Sequence, residues 1–149
     1  MSSVNIADAE AFFAEVESAS KKAVWCALAT VQGSEPRVRL VHPTWEGRTL
    51  WLATAPSSPK ALQIAANPSV DVQFQVAPPD FTHIMVRGSA TLCADDATRV
   101  HAWSVIDYDL HGFFPGGPTD PNYVAVRITP TRVELSQMFG TVNKRIWRS

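Results

Sequence analysis

RVRLVHPTWEGRTLWLATAPSSPKALQIAANPSVDVQFQ, residues 37–75, changes rhythm several times, and those changes set the fold. Arg37–Pro43 alternates: Val38, Leu40 and His42 face one way, and Arg37, Arg39 and Val41 the other, which predicts a strand. Glu46-Gly47-Arg48 reads as a turn and Thr49–Thr54 as the next strand. Ser57-Ser58-Pro59-Lys60 then opens a helix, with a serine cap followed by proline at the first helical position. Leu62, Ile64 and Ala65 give that helix an apolar side, and Asn67-Pro68 ends it. Val70–Val76 returns to the strand pattern.

Upstream, Val24–Val31 is apolar or small on both faces, which predicts a strand buried on both sides. Residues 32–36 form a turn, and the strands at 24–31, 37–43 and 49–54 together read as a three-stranded antiparallel meander. Before them lies a helix capped by Asn5 or Asp8. Ala9, Phe13, Val16 and Ala19 share its apolar face, and Phe12 widens it. Downstream, Pro78-Pro79-Asp80 breaks the chain. Thr82–Leu92 is a long strand in which Gly88 marks a bulge or bend. Asp95 or Asp96 caps a helix reaching about Ser104, and residues 111–121 form an irregular loop. Two closing strands, Tyr123–Thr129 and Arg132–Met138, are separated by a turn at Pro130-Thr131. About seven strands joined by short connections predict a mainly β fold with short helices, antiparallel, and closed or partly closed into a barrel. No GxGxxG precedes the helix at 58–67, so a doubly wound parallel sheet is unsupported.

Composition narrows the function. At 149 residues the expectation is one domain, 1–149, large enough to fold without a metal or disulfide staple. Thirteen basic against fourteen acidic residues leave a net charge of −1, so no global field draws nucleic acid or an anionic membrane. No signal peptide or membrane-length apolar run is visible, and the expected location is cytoplasmic. Cys26 and Cys93 then read as buried, reduced thiols. His42, His83, His101 and His111 are scattered, with no metal-ligand spacing. No GxSxG or triad order points to a hydrolase.

Two local features carry chemistry. Lys60 sits at the start of a helix, where a cation runs against the helix dipole; a bound anion would remove the conflict. Taken alone, the same motif fits a plain capped helix with a solvated lysine. Arg37 and Arg39 project from one strand face and can pair with a phosphate or the electron-rich edge of a heteroaromatic ring, although solvated arginines fit that pattern too. Trp25, Trp45 and Trp51 are core or interface anchors, one of which can stack on a flat ligand.

The ordered set RVRLVH (37–42), LWLAT (50–54), SPKALQIAANPSVDVQFQ (58–75), MVRGSATL (85–92), FFPGGPTDPNY (113–123) and VAVRITPTRVEL (124–135) resembles the pyridoxamine-5′-phosphate-oxidase-like family, in particular its general-stress-protein branch. The resemblance implies a split β-barrel homodimer with FMN at the dimer interface. It lays Arg37, Val38, Arg39, Leu40, Val41 and His42 along the isoalloxazine ring. It puts Ala53 and Thr54 near ring and ribityl chain, Ser58 and Lys60 at the phosphate, and His83 where the oxidases place a flavin-contacting glutamine. Arg37 or Arg39 would stabilise negative charge on the reduced ring. The implied activity is that of a flavin-dependent oxidoreductase. Alternatives of the same fold are a deazaflavin F420-dependent reductase and a non-enzymatic flavin or heme binder, His42 or His83 being the heme ligand. Pro59 replaces a phosphate-contacting arginine of the oxidases, and Ser136 stands in place of a tryptophan. The segment 141–146 lacks the substrate-binding arginine and histidine. The expected substrate is therefore a small molecule other than pyridoxamine phosphate.

Overall fold

The computed structural model describes residues 2–23 and 25–149; Val24, predicted to open a strand, lies outside the described residues. The elements are β1 (Ser2–Ser3), α1 (Ala9–Ser20), β2 (Cys26–Gln32), β3 (Glu35–Val41), β4 (Thr44–Glu46), β5 (Thr49–Thr54), α2 (Pro59–Ala66), β6 (Ser69–Gln75), β7 (Thr82–Cys93), α3 (Asp96–Val105), β8 (Val124–Gln137) and β9 (Val142–Arg148). β2 and β3 form a hairpin closed by Gly33-Ser34, with Gly33 at φ +62, a conformation that glycine adopts without strain. The turn is thus tighter than the predicted 32–36. Leu28, Val72, Val86, Val126 and Val133 fill the barrel interior. Phe12, Phe13 and Val16 of α1 cover one end of it beside Trp45 and Trp147. Each such side chain contributes about 1.5–3 kcal/mol by leaving water. Ser20 at the end of α1 accepts a hydrogen bond from the Trp45 indole N–H at 3.0 Å, so the buried ring has a polar partner.

The sheet runs β3-β2-β6-β7-β8, all antiparallel; β8 continues to β5 and β4 at one end and to β9 and β1 at the other. This corrects three expectations. First, the meander is not formed: β5 pairs with β4 and β8, whereas β3 pairs with β2. After Val41 the chain leaves the hairpin and crosses to the far side of the barrel, a long-range choice that local alternation does not encode. Second, the two closing strands are one, β8. Pro130 lies opposite Gly88 at a register shift, where Thr131 is the extra residue. At a bulge the missing proline N–H leaves no ladder bond broken. Third, β2 is buried on one face only. Cys26, Leu28 and Thr30 face the core, while Ala27, Ala29 and Val31 are half-buried. β9 and β1, which the sequence pattern did not reveal, extend the far edge of β8.

Gly88 is required at the bulge, because a Cβ there would stand 2.5 Å from the Thr129 carbonyl oxygen. Gly88→Ala is expected to cost about 2 kcal/mol by overpacking. Gly112→Ala, where a Cβ meets nothing within 4 Å, should stay within about 0.5 kcal/mol of wild type. Urea unfolding of the two variants checks this, and equal midpoints would refute the close approach.

Candidate functional site

The register of β5 against β8 places Ala53 opposite Ala125 and Thr54 opposite Val124, at the end of the barrel where the chain turns into α2. Ser58 caps α2, its hydroxyl accepting from the Ala61 N–H at 3.3 Å. Thr54 and Ser58 hydroxyls lie 2.9 Å apart, and the Lys60 ammonium donates to Thr54 Oγ1 at 3.0 Å. Pro59 has no N–H, and that of Ala61 is taken by its own cap. The helix end therefore offers the Lys60 N–H, and the positive charge of this corner rests on side chains more than on the dipole. Arg39 lies close enough to add to it. Its guanidinium donates to the Leu28 carbonyl at 3.2 Å, to Thr30 Oγ1 at 2.7 Å and to Gln63 Oε1 at 2.6 Å, which ties β3 to β2 and α2. Among the described residues, no carboxylate lies within ion-pair distance of Lys60 or Arg39. Burial, and then the Arg39 charge, push the Lys60 pKa below the ordinary lysine value. Two cations held by neutral partners form a site short of negative charge.

A cleft of about 630 Å³ leads away from that corner. Leu52, Ala53 and Thr54 form one side and Leu40, Val41 and His42 the other; Trp25, Tyr108, Phe113 and Phe114 complete it. Residues 40 and 41 point to opposite faces of β3, yet both line the cleft, so the cleft follows the edge of that strand. Among the described residues β3 pairs with β2 alone, so this edge keeps backbone N–H and C=O groups for a ligand. Val38 and Leu40 are exposed by 71% and 63%, and Trp25 by 64%. A row of exposed apolar groups beside a cleft marks an interaction surface.

Of the predicted positions, Leu40, Val41, His42, Ala53, Thr54, Ser58 and Lys60 converge on the cleft. Arg39 stands behind the corner. Arg37 turns back to Glu35 in a 3.3 Å ion pair, and Val38 faces outward. His83 is apart from the cleft, its Nδ1 3.0 Å from Gln75 Oε1 and its Nε2 4.0 Å from Glu134. Burial lowers the His83 pKa against the opposing pull of Glu134. The aromatic wall of Tyr108, Phe113 and Phe114 was not among the predicted site residues; the signal was the Phe113-Phe114 pair within the irregular loop 111–121. Asp107, 2.7 Å from His42 Nε2, carried no signal in the sequence.

The family model for pyridoxamine 5′-phosphate oxidase matches residues 12–137. The chain belongs to the pyridoxamine 5′-phosphate oxidase family. Among curated proteins none matches the sequence. The fold is similar to the crystal structure of general stress protein 26 from Bacillus anthracis, with a TM-score of 0.74 and 23% identity over 93% of this chain and 98% of that one. A Clostridium acetobutylicum protein related to general stress protein 26 gives a TM-score of 0.74 at 18% identity, covering 93% and 95% of the two chains. A Nostoc punctiforme protein described as pyridoxamine 5′-phosphate oxidase-related and FMN-binding gives 0.61 at 21% identity, covering 89% and 85%. The family member described here thus has the split-barrel architecture, mainly antiparallel β with three short helices. No helix among the described residues is long and apolar enough to cross a membrane.

The electrostatics of the corner yield a test in the ligand-free protein. A lysine whose folded pKa lies below its unfolded value destabilises the fold while charged, and the penalty fades as pH rises past the folded pKa toward the unfolded one. Lys60→Met is therefore expected to be as stable as wild type or about 0.5 kcal/mol more stable at pH 7, with the difference shrinking by pH 10. Urea unfolding at both pH values checks it; a variant clearly less stable at pH 7 would contradict the assignment.

Proposed function

We propose that this family member is a flavin-dependent oxidoreductase that binds FMN in the cleft, its phosphate at the Lys60 corner, and acts on a small molecule other than pyridoxamine phosphate. The observation that carries the reading is the corner itself: an ammonium and a guanidinium with hydroxyl, amide and carbonyl partners and no carboxylate. A phosphate dianion fits this donor set, since the hydroxyls of Thr54 and Ser58, the Lys60 ammonium and the Lys60 N–H all donate to its oxygens. A flat ring fits the strip between the β3 edge and Ala53, where the backbone supplies hydrogen bonds and small side chains leave room.

When bound, the flavin supplies hydride or electron transfer. The protein's part is to hold and surround it. Lys60, Thr54 and Ser58 fix the phosphate, and the edge of β3 orients the ring. Arg39, held by Gln63 and Thr30, adds positive charge behind the phosphate corner. Tyr108, Phe113 and Phe114 exclude water from the other side. The exposed Val38, Leu40 and Trp25 support a homodimer that covers the cleft with a second copy. In that arrangement His83 meets flavin from across the interface. Its partner Gln75 shares the outward sheet face of Ala27 and Leu40, so His83 lies on that face too. Residues 141–146 hold no histidine, and their one arginine, Arg145, pairs with Glu15 and does not line the cleft, which favours a different substrate. The expected location is the cytoplasm, within a single domain.

Purified protein should be yellow or take up FMN at micromolar concentration, and should prefer FMN to F420 in a competitive titration. Lys60→Ala is expected to lower FMN affinity at least tenfold, in line with about 1.5–3 kcal/mol for a hydrogen bond to a charged group. Colourless protein that takes up no FMN would overturn the reading. Sedimentation at micromolar concentration should give a dimer; an FMN-loaded monomer would overturn the interface.

A further inference from the structure

The cleft has a second end, and its chemistry differs from the first. Among the described residues lining it, Lys60 is the one side chain with a fixed positive charge, and FMN phosphate would use it. At the other end stands His42, whose Nε2 lies 2.7 Å from Asp107 Oδ1. Asp107 is itself held in place: its carboxylate accepts from Thr44 Oγ1 at 3.2 Å, and its N–H donates to the same hydroxyl at 3.2 Å. Any positive charge on His42 is thus offset by a carboxylate fixed beside it.

Around His42 runs a ladder of edge-to-face rings. His42 and Tyr108 have centroids 5.0 Å apart, and Tyr108 and Phe113 are 6.1 Å apart. Phe113 leans on Phe114, which is buried and packs on Tyr123 at 5.3 Å. Phe113 itself is exposed by 69%, so the ladder has a rigid base and a free outer ring. Rings fixed at one end and open at the other bind flat molecules by area and stacking at low entropic cost.

We infer that the end of the cleft formed by His42, Tyr108 and Phe113 is the substrate subsite, and that it takes an uncharged planar aromatic molecule and disfavours an anionic one. The inference rests on the FMN reading, because FMN must occupy the Lys60 corner for an anionic substrate to find no cation left. It also accounts for how the cleft does without a substrate-binding arginine: an uncharged substrate needs none.

The test uses FMN-loaded full-length protein and two probes of the same ring system, 2-naphthol and 6-hydroxynaphthalene-2-sulfonate, with binding measured by equilibrium dialysis and by perturbation of the flavin spectrum. The neutral probe should bind at least tenfold more tightly. Phe113→Ala and Tyr108→Ala, each kept saturated with FMN, should weaken binding of the neutral probe at least fivefold. Asp107→Asn should narrow the preference at least threefold by removing the carboxylate beside His42. Equal or tighter binding of the sulfonate, or an unchanged ratio in Asp107→Asn, would overturn the inference while leaving the FMN reading intact. Unaltered binding of the neutral probe to both aromatic variants would do the same. Protein that takes up no FMN would overturn both.

Discussion

β8 holds two neighbours along one edge, β5 beside Val124–Ile128 and β9 beside Arg132–Gln137, while β7 runs along the other. The bulge at Thr131, admitted by Gly88 opposite Pro130, separates the two stretches. Everything at the cleft depends on the first of them. Pairing with β8 brings β5 across the barrel from the β2–β3 hairpin and leaves a gap between them. Thr54, at the end of β5, hands the chain directly to the cap of α2. A meander in which β5 paired with β3 would have closed the gap and hidden the β3 edge.

The gap has two electrostatic ends. At one, Lys60 and Arg39 are held by Thr54, Thr30, Gln63 and a carbonyl, groups that orient a cation without neutralising it. Burial of Lys60 works against its charge, which is the kind of local cost that binding sites retain. At the other end, His42 has Asp107 as a fixed partner, and the walls are aromatic. An anion has a place at the first end and none at the second. That polarity orders a ligand within the cleft before any detail of the reaction is considered.

Local signals in the sequence marked local structure well. The Ser-Pro start of α2, the Asp95 cap of α3, the span of β5 and the bulge at Gly88 all follow from a few adjacent residues, and each is present. What was not legible depends on distant pairing. Pro130-Thr131 has the chemistry of a turn, and only its position opposite Gly88 makes it a bulge within one strand. β9 carries the charged residues Lys144, Arg145 and Arg148, which mask the buried Ile146 and Trp147. At the site, Lys60 and Ser58 were legible because cap and cation lie close together in the chain, whereas Thr54 came only with the family resemblance. Asp107 and Tyr108 come from beyond α3, and no spacing rule links them to His42. The expectation that β2 is buried on both faces failed because Ala27 and Ala29 face the outward side of the sheet, where a second copy is proposed to sit.

The most direct test is to titrate the wild-type protein with FMN and riboflavin side by side, following protein fluorescence quenching. The two ligands share the ring and ribityl chain and differ in the phosphate. If the Lys60 corner is a phosphate site, FMN should bind at least a hundredfold more tightly, about 2.8 kcal/mol at 1.4 kcal/mol per factor of ten. Equal affinities for the two would contradict the assignment of that corner.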